Sequence, residues 1–201
     1  MEKSLNPEDS LKVITEMVNR TRQNLNEGSY YYLLWGWLAL MAAAAEYILM
    51  EYIQVDWHPI VWGIMGIAGG IASAVYGMKD KSTRGHTSFI DRAMKMIWLA
   101  FGAMMLVTLM YGFTASNWGV VYAFIIALYG MGTFISGGIL KFKPLMIGGA
   151  LCWVITAAAF IFSDTLLNFP TMLILLMVSL VVSYLIPGYA LKNSESTKNA
   201  A

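Results

Sequence analysis

The chain has 201 residues, of which 58% are hydrophobic and only 12% carry a charge. A soluble domain has about twice that charged fraction, so the composition indicates an integral membrane protein. The net charge of +1 excludes the broad basic surface that nucleic-acid binding needs, and a single cysteine, Cys152, excludes internal disulfides and thiolate metal sites.

The polar N-terminal segment, residues 1–28, has the pattern of an amphipathic helix. Asn6 suits an N-cap and Pro7 the first helical position, and one face gathers Leu11, Ile14, Val18 and Leu25. We predict a cytoplasmic helix over residues 6–26. Because residues 1–28 hold four basic and five acidic side chains, anionic lipid would attract this helix weakly. Packing on the bundle or on a cytoplasmic protein partner is therefore favoured over binding to the bilayer surface.

Six apolar stretches follow, each close to the roughly 20 residues that a helix needs to cross a bilayer. Short connections between such stretches favour antiparallel neighbours. We predict an all-α membrane domain over residues 29–191, with six transmembrane helices in three antiparallel hairpins and a disordered cytoplasmic tail over 192–201. The predicted spans are about 29–53, 59–78, 93–113, 119–140, 145–162 and 171–191.

Basic residues fix the expected orientation. All 13 lie in the N-terminal segment, the second loop, the fourth loop and the tail, and the other three loops have none. Since cytoplasmic loops collect lysine and arginine, both termini are predicted to be cytoplasmic, in a multi-pass protein of the inner (plasma) membrane. The second loop is the most basic, so it is either a solvated loop or a contact for headgroups or a partner. Its bases are Lys79, Lys81, Arg84, Arg92 and Lys95.

The second predicted span carries a ridge of small residues along one helix face. Small residues let helix backbones approach closely in lipid. Two uses remain open, which are packing within the bundle and formation of a homodimer or other homo-oligomer. The ridge consists of Gly63, Gly66, Gly70, Ser73 and Gly77.

Glu46 is the unusual residue of the first span. Gly36, Ala39 and Ala43 step along one face to Glu46, so its carboxylate shares the face that we expect to turn into the bundle. An ionised carboxylate facing lipid would cost several kcal/mol, so Glu46 should face protein or water, or be protonated. No lysine or arginine lies at the depth of Glu46 in the membrane. His58, just before the second span at the outer boundary, is the one cationic candidate. The predicted intramembrane polar cluster is Glu46, Thr108, Tyr111, Tyr122 and Thr156.

Three roles for Glu46 stay open from the sequence. It is a neutral acid that joins two helices, a site for transport or sensing, or a contact for a lipid or ligand.

Near the end of the sixth span, Pro187 removes one helix hydrogen bond and should bend or end the helix before residues 188–192.

Catalysis is not indicated. The chain has only two histidines, and it lacks a metalloprotease motif and a nucleophile–base set, so we predict a protein without enzymatic activity, cofactor or metal. Two functions remain. The preferred one is a binding or sensing module that uses the cytoplasmic helix and the basic loop. The alternative is a transporter or channel for a small solute, a proton or a cation, with Glu46 as its intramembrane site.

The amphipathic segment carries Leu11, Ile14 and Met17, and the first span carries Trp35, Gly36 and Trp37. In this combination the chain resembles a family of uncharacterised small six-span inner-membrane proteins of Bacteroidota, in which an amphipathic N-terminal helix precedes a Trp-Gly-Trp first span. The resemblance implies an inner-membrane location in a Gram-negative bacterium and assigns no activity to any residue.

Overall fold

The computed structural model describes residues 29–81 and 89–199. Within these two ranges the chain is helical, and no strand is present. The predicted cytoplasmic helix over residues 6–26 lies outside the described residues, as do residues 82–88 of the basic loop.

The described helices alternate with very short connections. In chain order they are α1 (Ser29–Ile53), α2 (Ile60–Lys81), α3 (Phe89–Ala115), α4 (Trp118–Ile139), α5 (Lys143–Ile161), the short α6 (Ser163–Leu166), α7 (Phe169–Leu180) and α8 (Ile186–Asn199). Five-residue π-helical turns form the end of α1 at Leu49–Ile53 and join α7 to α8 at Val181–Leu185.

Six helical segments of the described chain are long and apolar enough to cross a membrane. This finding confirms the predicted all-α class and six apolar spans, and each predicted end agrees with the structure to within three residues. Helices α7 and α8 count as one segment through the π turn between them. The segments are Ser29–Ile53, Ile60–Met78, Ile90–Ala115, Trp118–Ile139, Lys143–Ile161 and Phe169–Asn193.

Local sequence explains where α4 and α7 start. The side chain of Asn117 accepts a hydrogen bond from the Val120 backbone N–H at 3.3 Å, and Asn168 does the same for Thr171 at 3.0 Å. Both are N-caps, which satisfy backbone donors that the first turn leaves without a helical partner. Ser116, just before the first cap, has a φ of 52°, and this left-handed residue turns the chain between α3 and α4.

Helix α4 lies at the centre of the bundle, and 56% of its most apolar 18-residue stretch is buried. It packs most extensively on α5, and glycines make that contact possible. A Cβ atom added to Gly130 would lie 2.8 Å from the carbonyl oxygen of Gly149, and one added to Gly149 would lie 2.6 Å from the Gly130 oxygen. The two backbones therefore touch where only glycine fits.

Helices α2 and α3 lie at the outside of the bundle. Only 6% of the most apolar 18-residue stretch of each helix is buried. Their apolar side chains, such as Ile64, Ile67 and Ile71, are exposed. Such surfaces suit contact with lipid, which is as apolar as these side chains.

Pro187 does not end the sixth span, which was one of the two outcomes that the sequence predicted, a bend or an end. The helix passes through the π turn at Val181–Leu185 and continues as α8 to Asn199. A proline ring clashes with the carbonyl four residues earlier in an α-helix, and the extra residue of a π turn relieves that crowding. Helix α8 also runs into residues 192–199, where the sequence predicted a disordered tail. No proline or glycine follows Gly188 to stop it.

We expect Gly130→Ala to lower the free energy of unfolding by about 1–3 kcal/mol, because the new methyl group forces α4 and α5 apart. Thermal unfolding of the purified protein in detergent would measure the change. The matched control is Gly66→Ala, since nothing lies within 4 Å of the added Cβ there. Equal melting temperatures for the two variants would contradict the close α4–α5 contact.

Candidate functional site

Glu46 is buried inside the helical bundle, with 1% of its surface exposed. The small residues Ala39, Ala42 and Ala43, on the preceding turns of α1, are buried too. Their small side chains let other helices approach this face closely, so the carboxylate sits among protein groups. The next turn of α1 is the π-helical segment Leu49–Ile53, in which no residue is buried.

Three side chains from outside α1 meet the Glu46 carboxylate. The hydroxyl of Tyr122 donates to Oε2 at 2.7 Å, and the indole N–H of Trp62 donates to the same oxygen. Nδ1 of His58 lies 3.1 Å from Oε1. These groups come from the α1–α2 connection, from α2 and from α4, so one carboxylate joins three parts of the chain.

The spacing of His58 and Trp62 explains how both reach one carboxylate. They are four residues apart, and helical turns already join them: the backbone N–H of Trp62 donates to the Pro59 carbonyl at 3.2 Å, and that of Ile60 to the Trp57 carbonyl at 3.1 Å. Residues four apart in a helical turn lie on the same side. The start of α2 thus presents an imidazole and an indole together.

The chemistry of the donors restricts where protons can lie. An indole has only a donor, whereas an ionised carboxylate only accepts. Oε2 of Glu46 receives the Trp62 and Tyr122 hydrogen bonds, so the Oε1–Nδ1 contact with His58 is where a proton can lie on either atom. Among the described residues no lysine or arginine pairs with Glu46. His58 is therefore the group that can supply it with a positive charge.

Aromatic rings surround the carboxylate and limit access to it. The ring centroids of Tyr122 and Phe169 are 5.1 Å apart, those of Trp62 and Tyr122 6.1 Å, and those of His58 and Phe169 6.1 Å. The His58 side chain is 22% exposed, whereas that of Glu46 is 2% exposed. Exchange of a proton with the surroundings is thus most direct through His58.

The structure brings one of the four predicted hydroxyl partners to Glu46, namely Tyr122. The Thr108 hydroxyl donates to the Met104 carbonyl of its own helix at 2.8 Å, and Tyr111 is 45% exposed. Thr156 donates to the Ala123 carbonyl at 3.3 Å, which joins α5 to α4.

His58 was the cationic candidate of the sequence analysis, and Trp62 was missed. A tryptophan close to a span end is commonly an interfacial anchor, so its position alone does not indicate a hydrogen-bond donor inside the bundle. Its spacing of four residues from His58 was the signal that could have revealed it.

The small-residue ridge of α2 divides into two parts. Around Gly63, Gly66 and Gly70, nothing lies within 4 Å of an added Cβ. At the other part, Ser73 accepts a hydrogen bond from the Trp35 indole at 3.1 Å, and an added Cβ at Gly77 would meet the Tyr31 hydroxyl at 3.5 Å. Packing on α1 thus uses one end of the ridge, and homodimerisation through the open part stays a prediction.

The fold and the site together define a multi-pass helical membrane protein with a buried, hydrogen-bonded carboxylate. Comparisons of the chain with protein-family models, with curated proteins and with solved structures give no match. The described residues contain no group of three or more histidine, cysteine, aspartate or glutamate side chains that could hold a metal ion. The function is therefore argued from the site itself.

We expect Tyr122→Phe to lower the free energy of unfolding by about 1.5–3 kcal/mol, because a buried carboxylate loses a donor. The matched control is Tyr111→Phe, which removes the hydroxyl of an exposed tyrosine and should change stability by less than about 0.5 kcal/mol. Both are measured by unfolding in the same detergent. Equal stability of the two variants would show that the Tyr122–Glu46 bond contributes nothing.

Proposed function

We propose that this protein is a membrane sensor that responds to protons at the His58–Glu46 pair. The observation that carries the proposal is the contact of a partly exposed imidazole with a buried carboxylate. Histidine is the side chain whose charge changes between about pH 5 and 8. When Glu46 is ionised, a proton gained by His58 converts the contact of a neutral imidazole with the carboxylate into an ion pair, in which the two opposite charges attract each other.

The element that would respond is α2. Little of its surface is buried, and two of its attachments to the rest of the bundle are polar: Trp62 to Glu46 and Ser73 to Trp35. Aromatic contacts such as the stacking of Tyr76 on Tyr30 also hold α2, but its backbone does not touch another helix as that of α4 touches α5 at Gly130 and Gly149. We therefore take α2 to be easier to shift than α4. We propose two positions of α2, one docked as described here and one displaced, with the charged His58–Glu46 pair favouring the docked position.

The predicted orientation places His58 and the basic loop on opposite sides of the membrane. If the basic segments are cytoplasmic, as the distribution of lysine and arginine predicts, His58 lies on the outer side of the membrane. Helix α2 would then lead from the proton site to the basic loop on the inner side. In this proposal the basic loop and the cytoplasmic helix over residues 6–26 carry the signal to a protein partner.

Transport through Glu46 is the second proposal, and the geometry favours it less. A carboxylate that binds a passing cation needs free oxygen lone pairs facing an open path. Both oxygens of Glu46 already have partners, and the residue is 1% exposed. A sensor requires only that a proton reach His58.

The sensor proposal predicts a pH-dependent position of α2. Spin labels at Met78→Cys on α2 and Ile147→Cys on α5 suit the measurement, because both side chains are exposed. In double electron–electron resonance, we expect one distance at about pH 5.5 and a second, longer distance as the pH rises to about 8, since histidine loses its charge over that range.

The control for this experiment is the same labelled pair with Glu46→Gln. This substitution keeps the size of the side chain and removes the charge that attracts the imidazolium, so its distances should not change with pH. A wild-type distance distribution that stays constant from pH 5.5 to 8 would contradict the sensor proposal.

Flux measurements separate the two proposals. We expect purified protein in proteoliposomes to pass protons, sodium and potassium no faster than empty vesicles, because the carboxylate has no free oxygen on an open path. A pH-sensitive dye inside the vesicles reports protons, and ion-selective dyes report the cations. Flux that the wild type supports and Glu46→Gln abolishes would favour the transporter.

A further inference from the structure

A groove runs along the first part of α1, where α2 and α8 border it. Its volume is about 510 Å³, which lies in the range of about 300–1,000 Å³ that is common for ligand cavities. Six of its eight lining residues belong to α1, between Ser29 and Leu38, and Tyr76 of α2 and Lys192 of α8 complete the lining. Glu46 does not line the groove, so the groove is separate from the site described above.

Two contacts between aromatic side chains hold the borders of the groove. The rings of Tyr30 and Tyr76 stack with their centroids 3.8 Å apart, which joins α1 to α2. The indole N–H of Trp37 donates to the Tyr189 hydroxyl at 3.1 Å, which joins α1 to α8. The three helices are thus linked by side chains at the groove itself, and its shape follows from the fold.

The groove extends from one boundary of the membrane to about the middle of the bilayer. The first membrane-crossing segment begins at Ser29 and the sixth ends at Asn193, and both Ser29 and Lys192 line the groove. Leu38 lies nine residues after Ser29, which is about 14 Å along a helix that rises about 1.5 Å per residue. One leaflet contributes about 15 Å to a hydrocarbon core about 30 Å thick, so the groove is as long as one leaflet.

The lining is apolar inside the bilayer and positively charged at the boundary. Leu33, Leu34 and Leu38 line the apolar stretch, and Lys192 is the charged residue of the lining. The Lys192 side chain is exposed, and among the described residues no carboxylate forms an ion pair with it. Its ammonium group can therefore bind an anion, and phosphate is a common partner of lysine.

An acidic phospholipid has the same division of polarity as the groove. Its acyl chain matches the apolar stretch in length and chemistry, and its negatively charged headgroup matches Lys192. A soluble anion would leave the three leucines uncovered, whereas a zwitterionic lipid would bring a second cation to the lysine. Tyr30 and Tyr76 lie near the boundary, where tyrosine side chains commonly contact headgroups.

We propose that this groove binds one acidic phospholipid, with an acyl chain along Leu33, Leu34 and Leu38 and the headgroup phosphate on Lys192. With the orientation that the basic residues predict, the lipid belongs to the cytoplasmic leaflet, which carries the negative surface potential of anionic lipids. The bound lipid contacts α1, α2 and α8 together. The site does not depend on the protonation of His58 or Glu46.

Native mass spectrometry of the protein released from detergent tests the charge of the ligand. We expect one phosphatidylglycerol to bind more tightly than phosphatidylcholine does. Lys192→Ala should weaken phosphatidylglycerol binding about fivefold, which is the effect of one lysine near an anionic surface, and Lys192→Arg should retain it. Equal affinity of the wild type for the two lipids would overturn the site, because the groove would then hold bulk lipid only.

The matched control for Lys192→Ala is Lys143→Ala. Lys143 is exposed, lies on the same predicted side of the membrane and does not line the groove. We expect this variant to bind phosphatidylglycerol as the wild type does. An equal loss in the two alanine variants would contradict the proposal, since net charge and not the groove would then account for the binding.

Filling the groove tests the part played by the acyl chain. We expect Leu34→Trp to reduce binding of phosphatidylglycerol at least as much as Lys192→Ala does, because the indole occupies the space of the chain while Lys192 stays in place. Unchanged binding by Leu34→Trp would show that Lys192 binds a phosphate without the groove, and it would overturn the proposal.

Quenching by brominated lipids tests the site in the unmodified protein. Trp37 lines the groove, and bromine on an acyl chain quenches tryptophan fluorescence on contact. In phosphatidylcholine proteoliposomes, we expect a small fraction of brominated phosphatidylglycerol to quench more than the same fraction of brominated phosphatidylcholine. Trp37→Phe should abolish that difference, and Trp57→Phe, at a residue that is 59% exposed, should keep it. Equal quenching of the wild type by the two lipids would overturn the site even if every variant misfolded.

Discussion

The arrangement of the first two spans depends on the burial of one carboxylate. Removing an ionisable group from water costs several kcal/mol unless hydrogen bonds and a counter-charge compensate for it. Glu46 obtains that compensation from His58, Trp62 and Tyr122. Because the three groups come from the first connection, from α2 and from α4, the carboxylate can be satisfied only when these parts meet. Its burial therefore specifies how the α1–α2 pair sits on the central helix.

Two kinds of helix contact hold the described bundle together, and they differ in what they allow. Between α4 and α5, glycines bring the backbones into contact, and packing of this kind permits little displacement because protein interiors are dense. Helix α2 is held partly by polar groups, at Glu46 and at Ser73. In a bilayer, apolar surface gives helices no hydrophobic reason to associate. The sensor proposal therefore assigns the response to protonation to the position of α2.

The sequence predicts the spans well because span length follows from the thickness of the bilayer. It also places Glu46 on the face with Ala39 and Ala43, since residues three and four apart share a helix face. The sequence does not show which of the hydroxyls at that depth contacts Glu46. Thr108, Tyr111 and Tyr122 all lie at about the level of Glu46, but depth leaves open which side of each helix points inward. Packing decides that, and only Tyr122 faces the carboxylate.

Features that depend on local hydrogen bonding were the hardest to predict. A proline inside a helix usually interrupts it. The sequence alone does not reveal that the π turn before Pro187 makes room for its ring. Trp62 belongs to the same group, because an indole near a span end is expected to face headgroups. Its role as a donor depends on the turns around Pro59, which bring it to the side of His58.

Two pairs of polar residues on α1 and α4 have the same spacing, Glu46 with Tyr122 and Tyr32 with Ser136. Tyr32 lies fourteen residues before Glu46, and Ser136 lies fourteen residues after Tyr122. Fourteen residues make nearly four helical turns, so the two polar residues of each helix lie on one face, about 21 Å apart at 1.5 Å per residue. Since Glu46 meets Tyr122 and Tyr32 lies beside Ser136, α1 and α4 run in opposite directions with matching spacing. Sliding one helix by a single turn would separate both pairs, so polar residues at two depths favour one register where apolar packing alone leaves several open.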